Sequence, residues 1–164
     1  MRRAWAALGS ALFLVIAPGV AAGLIPWLLT GWETNSVPAA LRILGVLLTA
    51  IGVAFLLQAF ARFVIEGLGT PAPVAPPERL VIGGVYRYVR NPMYLAVASA
   101  IVGQALLLGQ PGLLVYSALF AAITFCFVRL YEEPTLRSRF GPSYDAYRAA
   151  VPGWLPRLHP WDGS

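Results

Sequence analysis

The side chains able to do chemistry gather in two short runs, Gly84-Val-Tyr-Arg-Tyr-Val-Arg-Asn-Pro-Met-Tyr94 and Arg129-Leu-Tyr-Glu-Glu-Pro134. Glu133 lies four residues after Arg129, so on a continuing helix the two share a face and form an ion pair. Such a pair beside a cavity can bind ligand, the arginine taking an anion and the glutamate an ammonium or hydroxyl. Arg129 and Glu133 are therefore the candidate catalytic pair, although an interfacial ion pair would read the same way. Pro134 disfavours helix at Glu133, and the chain is expected to break direction there, freeing the carboxylate to point into a site. In the other run, Pro92 suits the first turn of a helix and Asn91 its N-cap. The same helix start offers free N–H groups to an anion. Tyr86, Tyr88 and Tyr94 supply aromatic bodies with hydroxyl tips, as interfacial anchors or as walls for a flat heterocycle.

Other chemistries are excluded by what the chain lacks. His159 is the only histidine and Cys126 the only cysteine, so no histidine-based metal site, Ser-His-Asp set or Cys-His set can be assembled. No intramolecular disulfide is possible either. Gly83-Gly84 alone is a weak phosphate-loop signal, and no Walker or dinucleotide signature is present. The reactions that remain depend on positioning more than on acid–base groups. Methyl transfer from a sulfonium donor is one, because alignment of nucleophile, methyl and sulfur supplies much of its rate.

The elements that must position these runs are membrane spans. Of 164 residues, 59% are hydrophobic and 12% charged, against about 25% charged in soluble domains. Mean hydropathy is +0.71. Four apolar stretches run from about Ala4 to Leu29, Ala39 to Ile65, Met93 to Leu108 and Gly112 to Leu130, near the roughly 20 residues a span needs. The fold class expected is all-α integral membrane, with about four transmembrane helices and a C-terminal helical hairpin turning at Gly109-Gln-Pro-Gly112. Residues 1–65 form an N-terminal helix pair and residues 66–164 a linker, hairpin and tail, together one membrane domain. The first stretch also resembles a signal peptide ending at Val20-Ala-Ala-Gly23. Hydrophobicity continuing to Trp27 favours a retained helix.

All twelve basic residues are arginine, and the net charge is +5. With four spans, Arg2, Arg3, Arg79, Arg87, Arg90, Arg137, Arg139, Arg148 and Arg157 share one side, with Arg62 and Arg129 at the adjoining helix ends, and only Arg42 lies opposite. The positive-inside rule then places both termini and both polar runs in the cytoplasm. The arginines form no dense patch of the kind nucleic acid needs. Residues 67–78, rich in proline, read as an extended linker, and Leu80–Gly84 as an apolar touch-down with a turn. Phe140–Arg148 reads as a short helix carrying Tyr144 and Tyr147, with Trp154 and Trp161 returning to the interface. The small-residue run Ala96-Val-Ala-Ser-Ala100…Gly103 permits close helix packing, leaving monomer and dimer open.

From Glu78 to Pro156 the chain resembles the isoprenylcysteine carboxyl methyltransferase family and its bacterial relatives, neighbours of the phospholipid N-methyltransferases. The likeness rests on Glu78-Arg-Leu-Val81, Gly84-Val-Tyr86, Arg90-Asn-Pro-Met-Tyr94, Arg129 with Glu132-Glu133, and Phe140-Gly…Tyr144…Tyr147…Val151-Pro. It implies a membrane enzyme of the bacterial inner membrane that uses S-adenosyl-L-methionine in a cytosolic pocket formed by the linker and the last two spans. By position, Glu78, Arg79, Leu80, Val81 and Tyr86 would line the cofactor, with Asn91, Pro92, Met93 and Tyr94. Glu133 would hold a polar group of the cofactor and Arg129 would face the substrate. The family's eukaryotic members carry His at the positions of Asn91 and at the start of the Glu78 segment, which bears on substrate identity more than on cofactor binding. The implied acceptor is a small amphiphilic or lipid-like molecule methylated on carboxyl, thiol or amine. A nicotinamide-dependent membrane reductase of related architecture and a non-catalytic membrane binder are the alternatives.

Overall fold

Four apolar segments fold as helices in the computed structural model, which describes residues 2–67 and 78–163, with side chains from Leu8 onward. In chain order they are α1 (Arg2–Gly19), α2 (Ile25–Thr30), α3 (Ala39–Arg62), α4 (Pro92–Leu108), α5 (Gly112–Phe127), α6 (Glu133–Phe140) and α7 (Pro142–Ala150). No strand occurs among the described residues. Single π-helical turns, Val20–Leu24 and Val128–Glu132, join α1 to α2 and α5 to α6 without a gap. The resulting helices Leu8–Thr30, Ala39–Glu66 and Gly112–Phe140 are long and apolar enough to cross a membrane, while Pro92–Leu108 is apolar but shorter. Its 17 residues rise only about 25 Å, slightly less than a hydrocarbon core. The chain is an all-α integral membrane protein. The proline-rich linker expected over 67–78 falls almost wholly outside the described residues.

Both π turns stand immediately before a proline-bearing helix start, and the backbone explains why. Proline has no N–H and clashes with the carbonyl four residues back. At the first turn, Ile25 N–H bonds back to Val20 O, which frees Ala21 O, and Pro26 leaves Ala22 O without its usual donor. Two side chains from neighbouring spans fill both places: Tyr116 donates to Ala21 O at 2.8 Å and Gln104 to Ala22 O at 2.7 Å. Within hydrocarbon such pairing is obligatory. The second turn corrects the break expected at Glu133–Pro134. Glu133 keeps helical angles, φ −60° and ψ −47°, with its N–H on Val128 O, and the helix runs on to Phe140. The wider turn absorbs the proline.

α3 and α4 pack closely because glycines face the contact. A Cβ at Gly52 would lie 2.7 Å from Ala96 O, and one at Gly45 would lie 2.6 Å from Gly103 O. The small residues of α4 thus serve packing within one chain. At one end of the bundle the hairpin turn is tied to the α2–α3 loop, by Asn35 N–H on Leu108 O at 2.8 Å and Gln110 Nε2 on Glu33 O at 2.9 Å. Gly109 closes α4 at φ +65°, a left-handed turn suited to glycine.

The opposite end carries both chemistry-bearing runs. A 3-10 turn, Gly84–Arg87, starts at φ +58° on Gly84, with the Arg62 side chain packed where a Cβ would stand. Residues 87–91 are then bound to the C-terminal tail: Arg90 N–H to Pro152 O at 2.9 Å, Asn91 N–H to Gly153 O at 3.2 Å, Arg157 N–H to Tyr88 O and Trp161 N–H to Arg87 O, both at 3.0 Å. Trp154 packs on Tyr94 and Phe125, and Trp161 on Tyr147. The two tryptophans clamp the tail to the bundle.

Candidate active site

Glu133 is the hub of the polar end. Its Oε1 accepts from Arg90 at 2.7 Å, and its Oε2 meets Arg129 at 3.1 Å and Arg148 at 3.4 Å. These arginines come from three elements: the segment before α4, the π turn and α7. The helix persists through Glu133, so the i,i+4 pair with Arg129 forms as the spacing requires.

Burial ranks the three contacts. The Glu133 and Arg90 side chains are 11% and 13% exposed, whereas Arg129 is 59% exposed. Removing one partner of a buried pair costs about 3–5 kcal/mol, while an exposed pair contributes about 0–1 kcal/mol. The Arg90 contact is therefore structural and the Arg129 contact exchangeable. Arg90 is held further by Nε on Val151 O at 2.9 Å and by Tyr144 Oη at 3.1 Å. One guanidinium thus touches α6, α7 and the tail.

Beside this hub lies a cavity of about 300 Å³, within the range of small-molecule sites. Its polar end is formed by Arg90, Asn91, Tyr94, Glu132, Glu133 and Tyr144. Its other end runs between the spans, past Phe13, Pro18 and Ala21 of the first, Phe60 of α3, Val97 of α4 and Phe120 of α5. One continuous space thus joins charged groups to an aliphatic and aromatic interior.

Glu132 and Glu133 both reach this space although they are neighbours in sequence, and each has its own partner. Tyr94 Oη donates to Glu132 Oε2 at 2.9 Å. Tyr147 Oη donates to Tyr86 O at 2.7 Å in the buried floor. Burial pushes the Tyr86 and Tyr147 phenols up, and also that of Tyr144, against the opposing pull of Arg90. All three hydroxyls remain protonated at neutral pH.

Asn91 occupies the position before α4 but makes no side-chain cap. Its amide Nδ2 is buried and without a hydrogen-bond partner, in a residue 7% exposed that lines the cavity. A buried orphan donor is costly, and an acceptor brought by a ligand would satisfy it. The side-chain cap expected from sequence does not form, and the backbone N–H of Asn91 bonds to Gly153 O of the tail.

Of the residues singled out from sequence, Leu80, Val81, Tyr86, Asn91, Pro92, Met93, Tyr94 and Glu133 line the cavity. Glu78 and Arg79 are exposed at the start of the described segment and lie outside the wall. Arg129 stands at the hub rather than in the wall. Arg90, Glu132, Tyr144 and Tyr147, which belong to the sequence motifs but had no site role from them, are also wall residues, as is Phe60, which no motif marked. Tyr144 and Tyr147, three apart on an amphipathic helix, carried a usable signal, since that face had to be buried.

Comparison with known proteins gives the family of the chain. A family model described as phospholipid methyltransferase matches residues 40–143, from the start of α3 into α7. Protein-S-isoprenylcysteine O-methyltransferase of Schizosaccharomyces pombe is 38% identical over 82 residues, covering 48% of this chain and 34% of that relative. The chain thus spans about a third of the length of the curated relative it matches. No solved structure matches it. With well over half of its length matched, the chain belongs to the phospholipid methyltransferase family.

Proposed function

We propose that the protein transfers a methyl group from S-adenosyl-L-methionine to an amphiphilic, lipid-like acceptor at the cytoplasmic face of a bacterial inner membrane. The observation that carries this reading is the cavity itself: polar and charged at one end, apolar between the spans at the other. A water-soluble zwitterion suits the first half and a hydrocarbon chain the second. The relative named above is, by its name, a methyltransferase for an isoprenylcysteine, which is an amphiphile of this kind.

The donor set fits the cofactor. A carboxylate finds the guanidiniums around Glu133 and the orphan Asn91 Nδ2, an ammonium finds Glu133, and a flat base finds aromatic walls at Tyr86 and Tyr144. Leu80, Val81, Pro92, Met93 and Tyr94 supply the remaining surface, with Glu78 and Arg79 beside it on the linker. Bound S-adenosyl-L-methionine supplies an electrophilic methyl on a sulfonium.

The residues of the chain orient and desolvate. Arg90 fixes Glu133, so that the carboxylate presents a constant geometry. Arg129, in its weak exposed pair, turns toward the acceptor and neutralises an anionic group on it. Tyr94 holds Glu132 at the boundary between the polar and apolar halves, where the acceptor's reacting atom arrives. The apolar wall excludes water and fixes the depth of the chain, which supplies proximity. Titration of the protein in nanodiscs with S-adenosyl-L-methionine tests the reading. Saturable binding weakened at least tenfold in Glu133→Ala supports it, and a well-folded protein without such binding contradicts it.

A further inference from the structure

The α3–α4 pair is a wall with two faces. Phe60 of α3 and Phe63 just beyond its end, with Met93, Tyr94 and Val97 of α4, face the cavity described above. The reverse face carries a second stripe, Ile51, Phe55, Gln58 and Arg62 on α3 at i, i+4, i+7 and i+11, with Leu95 and Ser99 on α4. These residues line a groove of about 730 Å³. No described residue of α1, α2 or α5 lines it, and Ile51 and Phe55 along it are about half exposed. Along the spans the groove is mostly apolar. At the polar end it meets Arg62 from α3 and Arg87 from the 3-10 turn, with Tyr88 beside them.

Both guanidiniums face the groove while keeping partners. Arg62 pairs with Glu66 at 2.9 Å, whose other oxygen accepts Gly83 N–H at 2.9 Å. Arg87 donates to Trp161 O at 2.6 Å and to Asp162 at 3.0 Å. Asp162 is 83% exposed, so it neutralises Arg87 poorly. A fork of five N–H donors suits a phosphate, and the side chains are only 37% and 40% exposed.

We propose that this groove holds one anionic phospholipid of the surrounding bilayer, its phosphate at Arg62 and Arg87 and one acyl chain along Ile51, Phe55 and Leu95. This lipid is a resident ligand, separate from any methyl acceptor. Tyr86 faces the cavity and Arg87 the groove from adjacent positions of one turn, so the resident lipid braces the turn that shapes the cavity floor. The inference does not depend on the transferase reading.

Native mass spectrometry of the detergent-purified protein tests it, with dioleoyl phosphatidylglycerol and dioleoyl phosphatidylcholine added in turn. One phosphatidylglycerol is retained in preference to phosphatidylcholine. Arg87→Gln lowers that retention by about fivefold, the effect of one basic side chain at an anionic surface. Ile51→Trp fills the groove from a lipid-exposed position and lowers retention without touching either arginine, so a poorly folding arginine variant leaves the test intact. Asn91→Ala, in the other cavity, leaves retention unchanged. Equal retention of both lipids overturns the proposal, as does indifference to Ile51→Trp. Loss in Asn91→Ala places the lipid in the first cavity and also overturns it. Displacement by sn-glycerol 3-phosphate at concentrations matching the lipid shows a site for free phosphate and overturns it too.

Discussion

Arg90 and Glu133 lie 43 residues apart in sequence and meet at 2.7 Å, both nearly buried, where the start of α4 reaches the end of the last span. This contact joins the two polar runs into one site. The same guanidinium bonds Tyr144 and Val151, so α7 and the tail are fastened through it as well. Arg90→Lys keeps the charge and loses the fork. It should cost about 1–3 kcal/mol, the range for charge-assisted hydrogen bonds lost from a buried group, read as a lower melting temperature in detergent. Arg129→Lys, in the exposed pair, should leave the melting temperature nearly unchanged.

Asn91 makes the opposite prediction. Its Nδ2 has no partner in the free protein, so Asn91→Ala removes an unpaired buried donor and should leave stability unchanged or slightly higher. Binding of the methyl donor should nevertheless weaken by about tenfold, the worth of one hydrogen bond to a charged acceptor at about 1.5 kcal/mol. Thermal melts and calorimetry on one preparation separate the two effects.

The carbonyls freed at Pro26 depend on two side chains from other spans. Gln104→Leu and Tyr116→Phe each strand one of them in hydrocarbon, at about 1–3 kcal/mol apiece. Thermal melts of the single variants should show the losses. The two partners lie on adjacent residues, Ala22 and Ala21, so the double variant should show coupling rather than simple addition.

Helix approach limits side-chain size at Gly52. Gly52→Leu drives a side chain into Ala96 O and should abolish well-folded protein, through overpacking of about 1–3 kcal/mol or more. Gly112, with nothing within 4 Å of its would-be Cβ, is the control. Gly112→Ala should be neutral or stabilising by about 0.4–1 kcal/mol, as read by the recovery of monodisperse protein and its melting temperature.

The spans, the hairpin and the pairing of Arg129 with Glu133 were legible in the sequence because each follows from local rules: apolar length, Pro-Gly punctuation and i,i+4 spacing. The run around Asn91 was legible as a helix start, but its side chain makes no cap bond to α4, and the tail that its backbone N–H meets lies 62 residues further on at Gly153. Pro134 misled for a related reason. A proline rule predicts a break, whereas a π turn inserted before it preserves the helix and carries Glu132 and Glu133 into the cavity together. The hub role of Arg90 was hidden, because its partners Glu133, Tyr144 and Val151 are all distant in sequence and only the folded tail brings them together. The groove behind α3 and α4 needed both helix faces in register, which no single segment displays.

The proposed function requires that the cavity beside Glu133 bind a methyl donor. Isothermal calorimetry of the protein in nanodiscs tests it most directly, with S-adenosyl-L-methionine as the titrant and a reduced nicotinamide dinucleotide phosphate as the comparison. Saturable binding of the methyl donor alone is expected, weakened at least tenfold in Glu133→Gln. Saturable binding of the nicotinamide instead, or donor binding indifferent to Glu133→Gln in a folded protein, would contradict it.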